Sequence, residues 1–443
     1  MKKFKIILIG IAVFTFSCED RLEIEPEQSI SLESAVSSEQ NLLATLVGAY
    51  QEAGDGASYG GNFQIMADLL GSDGSLNWGG TFLGYRQIRN KQVLVDNNDV
   101  DRGWVNTYQY INLVNLVIDN VSIIEDQAVA ETAEGEAKFL RALGYFDLIR
   151  FFGQKYNPGG GNTQLGVPLR ITGITDFGQD LTADRASVEA VYTQILNDLN
   201  DAYTLLPESN GFFADRYAAQ ALRARVYLQQ GDYTNARDAA NDVLQNSGHD
   251  IVGSYAAAFN NDADSNEDIF AFQVTSQTGE NELITFYASQ ANGGRGGDIT
   301  PTAAYFALFD DPTDDRANFT VGGLTAKYTN QFANVPLIRA AEMYLIRAEC
   351  NQRLGTTVGD TPLNDINALR NRANANTFGA VTLNDILNER KLELGMEGVF
   401  YHDVKRLEGS SDGFAWDDDE MLMPIPQRET NTNPVDQNPG YTS

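Results

Sequence analysis

The sequence contains little cysteine and little histidine, and this scarcity excludes several kinds of site. Its 443 residues include only two cysteines, Cys18 and Cys350, and two histidines, His249 and His402. Two cysteines cannot form a disulfide framework, and no Cys/His cluster has the spacing of a zinc site. The sequence therefore predicts no metal site of this kind and a fold stabilised by burial of apolar side chains.

Positive charge is also scarce. The chain has 31 Lys and Arg residues against 61 Asp and Glu residues, which gives a formal net charge of −30. A chain this acidic repels nucleic acid and anionic lipid headgroups. We therefore expect no nucleic-acid partner, and we expect a neutral or cationic ligand in preference to an anionic polysaccharide.

The chain has no long apolar run after its amino terminus. At the amino terminus itself, one short apolar run predicts a targeting segment. Lysines precede an apolar run at 6–16, which is too short to span a bilayer, and Ser17 and Cys18 follow it. This pattern is typical of a bacterial lipoprotein signal. We expect residues 1–17 to be removed and Cys18 to carry lipid, with an ordinary secretory signal as the alternative.

Sequence motifs for common enzyme classes are absent as well. The chain has no GxSxG, Walker or dinucleotide-binding fingerprint. Glu389, Glu393 and Glu397 recur every four residues, and two carboxylates on one face could serve a glycosidase. Basic residues at 390–391 and 405–406 favour a salt-bridged face instead. We expect no catalytic activity and no cofactor.

Helical periodicity dominates the chain. In the stretch 336–354, Ile338, Ala341, Leu345 and Ala348 form one apolar stripe. Pro336 is expected in the first turn of this helix, Gly355 just past its end, and Pro362 in the first turn of a second helix. A tetratricopeptide-like pattern covers 217–250, with its turn at Gly231. The remaining predicted helices span 38–51, 104–124, 131–152 and 187–206, and Ser38 and Ser187 are expected to cap the first and the last of them. A short strand is predicted within 267–276, and the tail from Leu422 is expected to wrap on the surface.

These helices pair in a way that predicts the fold class. Four antiparallel pairs are expected, namely 38–51 with 104–124, 131–152 with 187–206, the two halves of 217–250, and 336–354 with 362–373. We expect an all-α fold of tetratricopeptide-like helical repeats, with long irregular insertions and a few short strands. A tether at 18–37 precedes a single domain at 38–443. Its helix pairs occupy about 38–250 and 336–406, and its irregular subregion occupies about 52–103 and 251–335.

Two irregular segments have the composition of a sugar-binding site. Segment 71–84, GSDGSLNWGGTFLG, contains Trp78 with Asp73 and Asn77 before it, and Arg86 follows it closely. A tryptophan that caps the hydrophobic core is the alternative interpretation of Trp78. Flat apolar rings stack on sugar faces, and planar polar groups bond hydroxyls. A later segment at 277–300 supplies a second set of candidates, which are Phe286, Tyr287, Asn292 and Arg295.

One acidic stretch resembles the first half of a calcium loop. Asp262, Asp264, Asn266 and Asp268 alternate along it. The central glycine and the closing glutamate of such a loop are missing. A solvated acidic loop is therefore the favoured interpretation.

Taken together, several segments resemble the SusD/RagB family, the lipoproteins that lie on TonB-dependent outer-membrane transporters in Bacteroidetes. The similarity runs through the chain in the family's order. It is carried by CEDRLEIEPE at 18–27, EAKFLRALGYFDLIRFFG at 136–153, LGVPL at 165–169, RASVEAVYTQILNDLNDAYTLLP at 185–207, VPLIRAAEMYLIRAE at 335–349, LNDINALRNRA at 363–373, ILNERKLELGMEGVFYHDVKR at 386–406, MPIPQRE at 423–429 and NPVDQNPGY at 433–441.

The resemblance implies a function without catalysis. The protein would be anchored in the outer membrane through Cys18, exposed at the cell surface, and would capture an oligo- or polysaccharide for a SusC-like TonB-dependent transporter. It also implies that the aromatic binding site is built partly from the segment around Trp78. A peptide-capturing lid on such a transporter is the alternative.

Overall fold

The fold is helical. A computed structural model describes residues 32–442, and Cys18 and the predicted signal lie outside that range. About 51% of the described residues are helical, in 17 helices with few short strands, as the all-α prediction expected. No helix within residues 32–442 has both the length and the apolar character needed to cross a bilayer.

The first nine helices contain the predicted pairs of the amino-terminal half. They are α1 (Leu32–Ala35), α2 (Glu39–Ala53), α3 (Asn62–Gly71), α4 (Leu83–Arg89), α5 (Asn98–Asn120), α6 (Gln127–Phe152), α7 (Val188–Leu205), α8 (Arg216–Gln230) and α9 (Tyr233–Asn246). Capping explains several of their ends. Ser38 and Ser187 cap α2 and α7, and Gly231 ends α8 with a left-handed φ of 76°.

The carboxyl-terminal half has shorter helices. They are α10 (Glu282–Tyr287), α11 (Ala303–Phe306), α12 (Asp315–Asn318), α13 (Ala340–Leu354), α14 (Pro362–Arg372), α15 (Leu383–Glu393), α16 (Phe400–Arg406) and α17 (Gln427–Thr432). Pro362 stands in the first turn of α14, and Gly355 ends α13 in the left-handed region. Both positions agree with the sequence prediction.

The helices stack in the predicted pairs. α2 packs on α5, α6 on α7, α8 on α9 and α13 on α14. Contacts of α5 with α6, α7 with α8, and α9 with α13 join the pairs into one continuous stack. On α13, the stripe of Ala341, Leu345 and Ala348 packs with Ile366 and Leu369 of α14.

Ten short strands form five antiparallel two-stranded sheets in the described residues. They are β1 (Leu76–Trp78) with β5 (Ile299–Pro301), β2 (Leu165–Pro168) with β3 (Arg185–Ser187), β4 (Asp268–Phe272) with β8 (Val335–Arg339), β6 (Thr320–Val321) with β7 (Leu324–Thr325), and β9 (Ser410–Ser411) with β10 (Phe414–Ala415). The strand predicted within 267–276 is therefore confirmed as β4.

Two predicted helix starts were wrong. Pro336 lies in β8 and not in the first turn of a helix, so α13 begins only at Ala340. The residue before a proline favours extended backbone, and pairing with β4 satisfies that conformation. α5 begins six residues before Trp104, because the Asn97 side chain accepts hydrogen bonds from two backbone N–H groups and caps the helix there.

The irregular segment 52–103 is more ordered than its composition indicated. It contains α3 and α4, and α3 packs against α16. A Cβ atom on Gly71 would lie 2.1 Å from the backbone nitrogen of Tyr401, so this contact requires glycine. The close approach fixes the base of the segment that carries β1.

The ends of the chain also differ from expectation. The tail was predicted to wrap on the surface, but Met423 and Ile425 are buried. The Asn438 amide donates to the carbonyl oxygens of Phe152 and Met423 at 2.9 and 2.7 Å, which holds the tail in the core. At the other end, residues 32–35 of the expected tether form α1.

Candidate functional site

The two segments proposed for ligand binding lie side by side. β1 pairs with β5, so that Trp78 stands opposite Ile299. The Gly79 backbone N–H donates to the carbonyl oxygen of Asp298 at 2.7 Å. Segments 71–84 and 277–300, which are more than 200 residues apart in the sequence, therefore lie side by side, as a shared binding site requires.

A buried aromatic cluster supports this surface. The rings of Trp78, Tyr85 and Phe286 are buried, and their centroids lie 5.0 to 5.8 Å from one another. Such tilted and edge-on ring contacts stabilise packing beyond the area that they bury. The cluster gives the glycine-rich loop above it a rigid base.

Phe82 is the exposed ring of the site. It contacts Phe286 edge-on at a centroid distance of 5.5 Å, yet 43% of its surface is open to solvent. Leu83 beside it is 62% exposed. An exposed aromatic ring fixed on a buried cluster is a suitable stacking surface for a flat apolar ligand face.

Two arginines hold the same loop from two directions. The Arg295 guanidinium lies 4.8 Å from the Phe82 ring centroid, and it donates to the Thr81 hydroxyl at 3.1 Å and to Asp298 at 3.0 Å. Arg86 donates to the carbonyl oxygen of Gly80 at 3.0 Å. Both arginines are exposed. We call Asn77, Phe82, Leu83, Arg86 and Arg295 the Phe82 platform.

The placement of Trp78 corrects an expectation. The ring was expected to present an open face, but Trp78 is only 9% exposed and belongs to the main hydrophobic core. Its indole nitrogen is buried and has no hydrogen-bond partner. Alternation along β1 buries Leu76 and Trp78 and exposes Asn77 between them.

Tyr287 also lies in the interior and not at the loop surface. Its ring is fully buried and lies 5.3 Å from the Tyr328 ring centroid. Its hydroxyl donates to the Asp68 carboxylate at 2.9 Å. Tyr287 ends helix α10, whose inner face packs on the core, so a ligand on the surface does not reach its ring.

Some of the other predicted site residues lie on the Phe82 platform, and the others lie outside it. Asp73 lies at the far end of β1, where its carboxylate accepts from the backbone N–H of Asp412 at 2.9 Å. Asn292 lies in a short 3-10 turn at 290–292 and is partly exposed. Asn77, Arg86 and Arg295 lie on the platform.

Sequence reasoning missed Phe82 and Leu83. It gave the stacking role to Trp78, the largest ring of segment 71–84. A usable signal was present, because Phe82 and Leu83 are consecutive apolar residues directly after two glycines and a threonine. Such a pair in a turn has few partners within the loop, so exposure of at least one member was to be expected.

The glutamate triplet does not form an open acid pair. Glu389, Glu393 and Glu397 are nearly or fully buried, and each is ion-paired. A salt-bridged arrangement was predicted, but the expected partners were wrong. The cations come from distant segments and are Arg316, Lys327, Arg339, Arg370 and Arg372.

Side chains of the acidic stretch at 262–268 form hydrogen bonds with other residues of the protein. The Asp264 carboxylate accepts from Gln273 and Asn334, and the Asp268 carboxylate accepts from Ser265. Within residues 32–442, no group of three or more His, Cys, Asp or Glu side chains is arranged to hold a metal ion. The stretch gives no support to a calcium loop.

Comparison with known proteins agrees with this architecture. A family model described as "Starch-binding associating with outer membrane" matches residues 20–228, and a second, described as the SusD family, matches 317–421. SusD-like protein P2 of Formosa agariphila is 23% identical, with both chains covered completely. The starch-binding protein SusD of Bacteroides thetaiotaomicron is 31% identical over 35% of this chain and 27% of its own.

Solved structures share the fold. A SusD superfamily protein from Bacteroides thetaiotaomicron aligns with a TM-score of 0.78 at 24% identity, over 93% of this chain and 100% of that one. A laminarin-binding SusD-like protein aligns with a TM-score of 0.74 at 23% identity, over 91% of this chain and 100% of that one. These structures show the fold, and the two family models match residues in both halves of the chain, which leads to one assignment: the chain belongs to the SusD/RagB family.

Proposed function

We propose that the protein binds a glycan on the Phe82 platform. The observation that carries this proposal is the exposed Phe82 ring, supported from below by Phe286 and contacted by Arg295. A pyranose ring presents an apolar C–H face that stacks on an aromatic ring, and its hydroxyls accept from planar donors at the edge of that ring. Arg86 and Arg295 supply such donors at the loop that carries Phe82, and Asn77 is exposed on the preceding strand β1.

The related proteins support a glycan as the ligand class. The matching family model carries the description of starch binding, and one structural neighbour is named for laminarin binding. Both polymers are neutral glucans with apolar ring faces. The ligand of this chain is assigned here by the chemistry of its own platform.

A variant at Phe82 tests the proposal. Phe82→Ala removes the stacking surface, and we expect affinity for a cognate oligosaccharide to fall at least tenfold, since loss of an aromatic contact corresponds to roughly 1.5 kcal/mol or more. Calorimetry and affinity gels with laminarin, starch and acidic polysaccharides would measure it. Phe177→Ala is the matched control, because Phe177 is 66% exposed outside the platform.

Two results would overturn this assignment. One is unchanged glycan affinity in Phe82→Ala. The other is binding of peptides, and of no glycan, by the folded wild-type chain, which would favour the peptide-capturing alternative.

The wider role that we propose is capture and delivery. The protein would be held in the outer membrane by lipid on Cys18, exposed at the cell surface, and would pass its glycan to a SusC-like TonB-dependent transporter without cleaving it. Residues 1–31 lie outside the described structure, so anchoring is tested chemically. A Cys18→Ala chain should lose palmitate labelling and membrane fractionation, and the purified wild type should release no reducing sugar from a glycan that it binds.

A further inference from the structure

Nearly all the positive side chains in the described part of the chain are buried, half-buried or ion-paired. Among residues 32–442, the exposed lysines and arginines are Arg86, Arg295, Lys391 and Arg428. The other cations are buried or half-buried, and most of them form ion pairs with carboxylates. Two of the exposed cations therefore lie on one small surface of a chain whose net charge is −30.

These two arginines belong to a single arrangement. Arg86 and Arg295 come from α4 and from the loop before β5, and both donate to the loop at 79–82. The Phe82 ring lies on that same loop. A polymer stacked on Phe82 would therefore have guanidinium groups within its reach.

The donors of the two arginines are not fully used within the described chain. Arg86 forms no ion pair, and the one hydrogen bond that we identify for its side chain goes to the carbonyl oxygen of Gly80. Arg295 shares its charge with Asp298. The nearby carboxylates of Asp99 and Glu282 are paired with Arg102 and not with Arg86. Free guanidinium N–H groups bind carboxylate or sulfate oxygens more strongly than neutral hydroxyls.

We propose that the platform selects an acidic glycan, one whose sugar units carry carboxylate or sulfate groups. This inference rests on the proposed function and names the substrate class of the same site. It reverses the expectation from overall charge, which favoured a neutral ligand. The negative charge elsewhere on the protein repels an acidic polymer, so that productive contact is confined to the platform.

The full mature chain can be tested with defined polymers. Polygalacturonate supplies carboxylates, dextran sulfate supplies sulfates, and laminarin and dextran are neutral probes. We expect at least one acidic polymer to bind tenfold or more tightly than both neutral ones at low salt, and we expect that preference to shrink as NaCl is raised. The better of the two acidic polymers identifies the anionic group.

The arginines are tested with charge-neutralising variants. Arg86→Gln and Arg295→Gln, alone and together, should lower the ratio of acidic to neutral affinity about tenfold. Lys391→Gln and Arg428→Gln are the matched controls, because each removes one exposed positive charge outside the platform. These controls should leave the ratio unchanged.

The possible failures are distinguishable. Binding of laminarin or dextran as tightly as both acidic polymers would overturn this inference and leave glycan binding in place. An acidic preference that Lys391→Gln reduces as much as Arg86→Gln would also overturn it, since the effect would then be one of total charge. A folded chain that binds none of the four polymers would overturn both the inference and the proposed function.

Discussion

The interior beneath α15 and the Phe82 platform use arginine in opposite ways. In the interior, Arg316, Arg339 and Arg372 are almost completely buried, and each contacts at least two carboxylates. On the platform, Arg86 is exposed and forms no ion pair with any carboxylate of residues 32–442. The same side chain thus serves as a fixed partner in one region and as an available donor in the other.

The difference shows where an acidic chain with few lysines and arginines places these side chains. Burying a carboxylate without a cationic partner destabilises the folded state, so most of the arginines lie in the interior beside carboxylates. Glu393 illustrates this, since burial alone would raise its pKa, while Arg372, Arg339 and Arg316 bring that pKa well below its usual value. An arginine left exposed beside an exposed aromatic ring, as Arg295 is beside Phe82, is therefore a candidate for ligand binding.

The largest expected effect is in the interior. Glu393→Gln leaves Arg316, Arg339 and Arg372 with one fewer charged partner, and we expect it to cost about 3–5 kcal/mol of unfolding free energy. Urea denaturation measures the loss. Glu408→Gln is the control, because Glu408 pairs with Lys155 on the surface and should cost under about 1 kcal/mol. Equal losses of unfolding free energy in Glu393→Gln and Glu408→Gln would contradict the claim that the interior ion pairs matter more than the surface pair.

A second prediction concerns Asp68, a buried carboxyl group that forms no ion pair with the part of the chain that the structure describes. Burial raises the pKa of Asp68 to about 8, although Tyr287 and the Gly398 backbone N–H donate to it. In an unfolded chain the group titrates near about 4. Between these values the folded state holds a proton that the unfolded state has lost, so the stability from Asp68 is full below about pH 4 and declines as pH rises toward about 8.

Asp68→Asn tests that titration. The variant should flatten the decline of stability between about pH 4 and pH 8, a difference on the order of a few kcal/mol. Lys327 lowers the pKa of Asp68 and Glu397 raises it, but burial outweighs both. Urea midpoints across this range provide the measurement, and an identical decline in the wild type and in Asp68→Asn would contradict the account.

The smallest effect is expected at the platform. Arg86→Gln removes one partly buried hydrogen bond from an exposed side chain to a carbonyl oxygen, so unfolding free energy should change by less than about 1 kcal/mol. Thermal unfolding at fixed pH measures it. A loss comparable to that of Glu393→Gln would mean that Arg86 is a structural residue and not a ligand-binding one.

The sequence predicted more of the helical scaffold than of the candidate binding site. Helix pairs follow from local periodicity and capping, which is why the ends at Ser38, Ser187 and Gly231 were found. Burial within a loop depends on distant segments. Trp78 is covered because residues near 286 and 299 pack on it, and nothing local indicates this.

The partners of the glutamate triplet were missed for the same reason. Neighbours in sequence such as Arg390 and Lys391 were the visible candidates, whereas Arg316 and Arg339 approach only after the chain folds. Arg390 pairs instead with Glu342 and Asp403. Pairing in three dimensions decides which cations remain free, so the exposure of Arg86 and Arg295 could not be predicted from the sequence.

A crystal structure of the chain with a bound oligosaccharide tests the central claim most directly. The account predicts a sugar ring stacked on Phe82, with its polar groups within hydrogen-bond distance of Arg86 or Arg295. A ligand bound elsewhere, such as the cleft of about 290 Å³ lined by Lys155 and Trp416, with the Phe82 ring left uncovered, would contradict it.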